Sequence, residues 1–159
     1  MKPARQPQSC AGFTLLELTV VILLLGILLA AAVPKMMDTS TFEQMVFRDE
    51  LAASLRHAQK TAVSHRRLVC INVEMRRAST FISPSRETGD CTTPLPGPDG
   101  RPSILAASSA TGVTPTGMIY FQPNGDITQN ADGANPWNTA LTVTGAPPIQ
   151  IAGATGYVQ

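Results

Sequence analysis

The feature that most constrains this chain is an apolar run from Phe13 to Val33 (FTLLELTVVILLLGILLAAAV), which is followed by Pro34. Glu17 is the one charged side chain in the run. As a helix with a rise of about 1.5 Å per residue, the run would extend roughly 31 Å, close to the hydrocarbon thickness of a bilayer. A helix satisfies its own backbone hydrogen bonds in lipid, so the pattern predicts a membrane-spanning helix over residues 13–33.

The residues before the apolar run decide its orientation. They carry Lys2 and Arg5 and no acidic side chain, so this end is expected to stay in the cytoplasm while the chain beyond residue 33 is exported. Two cleavage positions are open. A conventional secretory signal would be cut after the apolar region, at residues 29–32 (LAAA), and would release a soluble domain. In the alternative, the cut follows Gly12 and the helix stays in the mature protein.

Residues 12–17, Gly-Phe-Thr-Leu-Leu-Glu, resemble the processing site of type IV prepilins and pseudopilins. The resemblance implies cleavage by prepilin peptidase between Gly12 and Phe13, with methylation of the new amine on Phe13. It also implies a role in subunit assembly for Glu17 and a helix kink at Pro34. Proline lacks an N–H group and crowds the preceding turn, so a kink or break near residues 30–33 is expected.

Glu17 has two competing interpretations. A lone carboxylate is costly in lipid, and ionisable groups there are usually functional. The resemblance implies that Glu17 of one subunit pairs with the Phe13 amine of another in an apolar bundle, where each charge lowers the desolvation penalty of the other. In the other interpretation the carboxylate reaches the headgroups, because it lies only about 6 Å from the helix start.

The chain has three cysteines. Cys10 lies in the predicted leader, which leaves Cys70 and Cys91 in an exported, oxidising compartment, where an even pair favours a disulfide. The alternative is two unrelated thiols. A bridge would close a loop of about 20 residues and stabilise the fold by on the order of 3 kcal/mol. We predict the bridge.

Residues 34–66 are predicted to form a second, amphipathic helical segment. Ser40–Glu43 (STFE) fits a capping box, so the helix could start again there rather than continue from the first. Its apolar residues follow spacings of four, four, three and four and form a single stripe, namely Phe47, Leu51, Leu55, Ala58 and Ala62.

Beyond residue 67 the apolar pattern alternates, which is typical of strands. Strands are predicted at 68–73 and 79–82, paired as a hairpin, at 118–121, and at 140–144 and 149–151, which form a last pair. A long loop from Pro84 to Pro102 is tied down by Cys91 if the bridge forms.

These elements predict an α+β fold of the type IV pilin kind, with a long N-terminal helix packed on an antiparallel sheet. The predicted domains are a leader (1–12), a transmembrane and assembly helix (13–33), an amphipathic helix (34–66) and an exported β domain (67–159). The pattern Phe121-x-x-x-Gly125 and the terminal Gly156-Tyr157-Val158 resemble FimT/GspH-type minor pilins and pseudopilins, which include the minor pilin of mannose-sensitive haemagglutinin pili.

Catalysis is not expected. The sequence has no Gly-x-Ser-x-Gly, no His-Glu-x-x-His and no phosphate-binding glycine loop, and no cofactor is predicted. Between Asp126 and Gly133 oxygen-bearing side chains alternate as in a calcium loop, but the closing glutamate of an EF-hand is missing. A polar turn is the preferred interpretation, and no metal site is predicted.

Nucleic acid is not an expected partner. Some FimT-type pilins bind DNA through a basic C-terminal segment, whereas residues 102–159 contain no Lys, Arg or His. Phosphate contacts by such side chains supply most non-specific affinity. The remaining candidates for phosphate contacts are Arg66-Arg67, Arg76-Arg77 and Arg86. The two doublets are expected at opposite ends of the strand at 68–74, so only Arg86 could join Arg66-Arg67, and the patch would be small.

The resemblance therefore implies a structural minor pilin of the inner membrane, with its N-terminus cytoplasmic and its C-terminal domain periplasmic. Its partners would be other pilins, prepilin peptidase and the inner-membrane assembly platform. One alternative is a GspH-like pseudopilin of a type II secretion system. Another is a binding module at the fibre tip that uses the 84–102 loop or Trp137.

Overall fold

The computed structural model describes the backbone of residues 13–36, 39–86 and 89–159 and the side chains of residues 13–29, 40–86 and 89–159. The predicted leader, with Gly12 and Cys10, lies outside the described residues. The chain divides into two compact units, Met1–Asp38 and Thr39–Gln159.

Helix α1 covers Leu15–Met36. Thr14 precedes it, and the Thr14 hydroxyl accepts a hydrogen bond from the backbone N–H of Glu17 at 3.2 Å, as an N-cap residue does. The helix continues through Pro34, so the chain does not leave the helix at residues 30–33. An interior proline removes one backbone hydrogen bond, which a helix can accommodate by bending. The kink itself stays a prediction.

Helix α2 covers Thr39–His65. The five residues of the predicted apolar stripe are all buried, none with more than 3% of its surface exposed. The predicted capping box is wrong as a helix start, because Thr39 is already helical and Ser40 therefore lies inside the helix. The two residues before Thr39 lie outside the described residues.

The end of α2 is fixed by a backbone cap. Arg66 has a φ of 51°, the left-handed conformation that stops a helix. The backbone N–H of Arg67 then donates to the carbonyl of Ala62 at 3.2 Å, the six-to-one bond of a Schellman motif. Only residues 66–68 join α2 to the first strand.

The main sheet is antiparallel, with β1 at its centre between β2 and β6. Strands β3 and β4 both pair with β2 on one side, and β7 pairs with β6 on the other. The strand bounds are β1 Val69–Glu74, β2 Arg77–Ile82, β3 Thr93–Pro94, β4 Ser103–Leu105, β5 Val113–Thr114, β6 Gly117–Phe121, β7 Ile127–Thr128, β8 Thr142–Val143, β9 Ile151–Ala152 and β10 Tyr157–Val158.

The core lies between the apolar stripe of α2 and one face of this sheet. The fully buried side chains of Leu51 and Leu55 belong to the same cluster as Ile71 on β1 and Phe121 on β6. All the clustered residues lie in the unit Thr39–Gln159. The α+β class and the helix packed on an antiparallel sheet are thereby confirmed.

The predicted hairpin of strands 68–73 and 79–82 is confirmed by the pairing of β1 with β2. The predicted pairing of 140–144 with 149–151 is wrong beyond a single bridge, Leu141 to Ile149. Strand β8 pairs instead with β5, and β9 pairs with β10. Pro147 and Pro148 lack N–H donors, so a ladder cannot extend across this turn.

Candidate functional site

Helix α1 presents an apolar surface. Every side chain from Phe13 to Leu29 is exposed within the structure, and the large apolar ones range from 42% exposed at Val21 to 80% at Leu15. A continuous apolar surface of this extent is a site of contact with a partner or with lipid.

Glu17 lies in the first turn of this helix, where a carboxylate is favoured by the helix dipole. Its backbone N–H is bonded to Thr14, and no ion pair involves its side chain among the residues that the structure describes. The spacing Thr14-x-x-Glu17 is that of a capping box. We did not predict the capping role of Thr14, although this spacing is visible in the sequence.

The structure places the predicted site residues of this segment at different points of α1. Phe13 is 77% exposed and precedes the helix, while Glu17 is the third residue of the helix. Pro34 lies in the last helical turn, and its side chain is not among those described. The cleavage site itself includes Gly12 and so falls outside the described part of the chain.

The two remaining predicted residues, Cys70 and Cys91, form a disulfide with Cα atoms 6.0 Å apart, a usual separation for such a bond. Cys70 lies on the central strand β1 and has no exposed surface. Cys91 lies two residues before β3. The bond therefore ties the long loop after β2 to the middle of the sheet.

Replacing Cys91 with serine is expected to lower the free energy of unfolding of residues 39–159 by about 3 kcal/mol, because the unfolded chain gains the entropy of an open loop. Urea denaturation with and without a reductant measures it. Reductant should destabilise the wild type to the level of the variant and leave the variant unchanged. A wild type that is insensitive to reductant, with two free thiols by titration, would contradict the bridge.

The suspected calcium loop is a pair of polar turns. The Asn124 amide donates to a carboxylate oxygen of Asp126 at 2.7 Å, and a carboxylate oxygen of Asp132 accepts the backbone N–H of Ala134 at 2.9 Å. Over the described ranges, no three His, Cys, Asp or Glu side chains are grouped to hold a metal ion. The carboxylates are thus engaged in local turn hydrogen bonds.

Trp137 is buried rather than exposed for a tip contact. Only 9% of its surface is accessible, and its indole N–H donates to the carbonyl of Thr139 at 2.8 Å. The doublets Arg66-Arg67 and Arg76-Arg77 lie beyond opposite ends of β1. The structure therefore does not bring these four cations into one patch.

Within the part of the chain that is described, no helix is both long enough and apolar enough to cross a membrane.

No curated protein matches this chain. Among solved structures it is similar to the type IV minor pilin FimU of Pseudomonas aeruginosa strain PAO1, with 17% sequence identity and a TM-score of 0.49. The match covers 76% of this chain and 90% of that chain. Residues 7–33 match the family model described as the prokaryotic N-terminal methylation motif. The resemblance to type IV pilins is thereby confirmed over this segment, in which the chain carries the N-terminal methylation motif of prokaryotic pilins.

Proposed function

We propose that this chain is a structural, non-enzymatic minor pilin subunit. Prepilin peptidase cuts it after Gly12, the amine of Phe13 is methylated, and residues 13–33 anchor it in the inner membrane. Residues 67–159 then lie in the periplasm until the subunit enters a type IV pilus, where it acts in priming or tip assembly. Its partners are other pilin subunits, prepilin peptidase and the inner-membrane assembly platform.

The observation that carries the proposal is the coincidence of the methylation motif with helix α1. The motif spans residues 7–33, and the described surface of the helix is apolar with Glu17 as its one charge. The apolar surface of such a helix must be shielded from water, by lipid before assembly and by the helices of other subunits afterwards. The second environment gives the carboxylate a partner that lipid does not supply.

Glu17 is proposed to act as the register device of assembly. After cleavage, the α-amine of Phe13 is a cation at the start of the helix. A neighbouring subunit is stabilised where its amine meets this carboxylate, and any other axial offset leaves two charges without partners in an apolar bundle. Glu17 lies in the first turn of α1, so its carboxylate is near the N-terminal end of the helix. The proposed contact brings the Phe13 amine of the neighbouring subunit to this end.

A pseudopilin of a type II secretion system is the second candidate, because the methylation motif, Glu17 and Pro34 are common to both classes of subunit. A tip-binding module is less well supported. Its two candidate elements were the 84–102 loop and Trp137, and Trp137 is buried.

Deletion of the chain separates these functions. We expect the deletion strain to lose most surface pili, counted by electron microscopy, and to recover them when the wild-type chain is supplied in trans. Secreted enzyme activity in the medium and transformation frequency are measured in the same strains and are expected to be unchanged. Loss of secretion with normal pili would replace the first candidate by the second, and loss of transformation alone would favour the tip module.

A further inference from the structure

A groove runs between the N-terminal half of α2 and strand β4, and we call it the α2–β4 groove. It has a volume of about 250 Å³, and its apolar lining includes Phe42, Val46 and Leu105. These three side chains are 71%, 40% and 59% exposed, which is unusual for residues so close to a well-packed core. Glu43 and Glu50 line the same groove.

The groove carries a net negative charge. Arg101 also lines it, but its Nε atom lies 2.6 Å from a carboxylate oxygen of Asp99. The pKa of Asp99 is lowered, first by a hydrogen bond from the backbone N–H of Arg101 and then by its guanidinium, so this pair stays ionised at neutral pH. No ion pair links Arg101 to Glu43 or Glu50 in the described structure. The two glutamates are therefore available to a cationic partner.

The opposite end of α2 has the complementary charge, and we call it the basic end. Lys60, Val63 and Arg66 are exposed there, and Val63 has 46% of its surface accessible. The nearest turn carries Asp126, whose carboxylate already accepts a hydrogen bond from Asn124. The basic end thus combines an exposed apolar side chain with an excess of positive charge.

The two surfaces cannot meet within one chain. Val46 and Ser64 lie on the same helix, and at about 1.5 Å per residue they are separated by roughly 27 Å along its axis. An antiparallel two-fold contact would place each groove against the basic end of the other copy and would close after two copies, whereas contacts of groove with groove or of basic end with basic end would oppose like charges. A head-to-tail contact pairs opposite charges, and such heterologous contacts build open filaments when the rotation does not close.

The helix dipole alone does not account for this arrangement. It favours acids near the start of α2 and cations near its end, so it explains the signs of the charges. It gives no reason for the apolar side chains of Phe42, Val46 and Leu105 to stand exposed beside them. Contact with Val63 and the aliphatic stem of Lys60 would remove this apolar surface from water.

We propose that the α2–β4 groove of one copy of this chain receives the basic end of α2 from a second copy. Glu43 and Glu50 then face Lys60 and Arg66 of the incoming copy, while Val63 packs on the apolar lining. The contact deepens the proposed function and rests on it for its place in a fibre, because a fibre subunit needs an interface that repeats in one direction.

Cysteine cross-linking of the full chain in intact cells tests the contact. One copy carries Val46→Cys in the groove and a second, differently tagged copy carries Ser64→Cys at the basic end; both positions are exposed. Mild oxidation is expected to give the mixed dimer only when both variants are present. A matched pair, Val46→Cys with Thr142→Cys at the exposed position of β8, is expected to give at least tenfold less mixed dimer.

Exchanging the charges of the two surfaces provides a second test of the contact. Glu43→Lys with Glu50→Lys in the groove copy should reduce the cross-link about tenfold, and Lys60→Glu with Arg66→Glu in the other copy should restore it. Recovery on exchange separates a contact effect from misfolding. Groove-to-groove dimers alone, a cross-link only to a different protein, or no cross-link would each overturn the proposal.

Incorporation into pili is scored in the same cells, which keeps the two proposals apart. A subunit that enters pili without this cross-link refutes the contact and leaves the proposed function intact. A cross-link without entry into pili supports the contact and refutes the proposed function.

Discussion

Replacing Gly153 with alanine is expected to destabilise residues 39–159 by about 3 kcal/mol or more, or to prevent folding. A Cβ atom at this position would overlap the backbone oxygen of Ile127 and the backbone nitrogen and oxygen of Trp137. These groups are themselves joined, since the Trp137 N–H donates to the Ile127 carbonyl at 2.8 Å. Backbone atoms cannot move aside by a change of rotamer. The hydrogen bond between Trp137 and Ile127 or the packing of the C-terminal segment must therefore break.

Gly89→Ala is the matched control. Its Cβ would meet only the Cβ of Ala131 at 3.7 Å, an ordinary van der Waals contact, so a change within about 0.5–1 kcal/mol is expected. Urea denaturation followed by the fluorescence of the buried Trp137 measures both variants. Equal stability of Gly153→Ala and Gly89→Ala would show that the segment after β9 does not pack as the structure has it.

Glu17→Gln is expected to leave cleavage intact and to reduce incorporation into pili by at least about tenfold. Removing one partner of a desolvated ion pair costs roughly 3–5 kcal/mol, because the remaining charge is left alone. Glutamine is also accepted at the third position of a capping box, so the start of α1 at Thr14 is preserved while the charge is lost. The ratio of the chain in sheared pili to the chain in membranes, by immunoblot, measures incorporation.

Two controls define the cause. Glu74→Gln makes the same chemical change at an exposed position on β1 and should have no effect. Thr14→Val removes the cap but keeps the carboxylate, and a smaller decrease is expected. Unchanged incorporation of Glu17→Gln would refute the register role, and an equal loss in Thr14→Val would assign the effect to the helix start instead.

Long periodic segments were predictable from the sequence. The apolar stripe of α2 and the hairpin of β1 and β2 are set by spacings that persist over many residues, and both are confirmed. The later strands were harder because β5 and β8 have two residues each, too few to show a period. Their pairing joins Val113 to Val143, a contact that only the closed fold determines.

The candidate sites divide in the same way. Phe13 and Glu17 could be proposed from the sequence because a short motif carries their chemistry, and their roles stay predictions. The α2–β4 groove could not, because Phe42 and Leu105 are far apart in the sequence and meet only once β4 has paired with β2. The degree to which Arg101 neutralises the two glutamates also depends on its pairing with Asp99, which composition does not reveal.

The short connection between α2 and β1 has a mechanical consequence. A tensile load applied to α2 reaches the sheet through the buried contacts of its apolar stripe and, along the covalent chain, through residues 66–68, after which β1 is the first strand to receive it. That strand is hydrogen-bonded to β2 along its whole length and to β6 over Val69–Val73, and Cys70 links it covalently to the loop before β3. Force is therefore shared by the centre of the sheet, whereas an edge strand would have to bear it through a single row of hydrogen bonds.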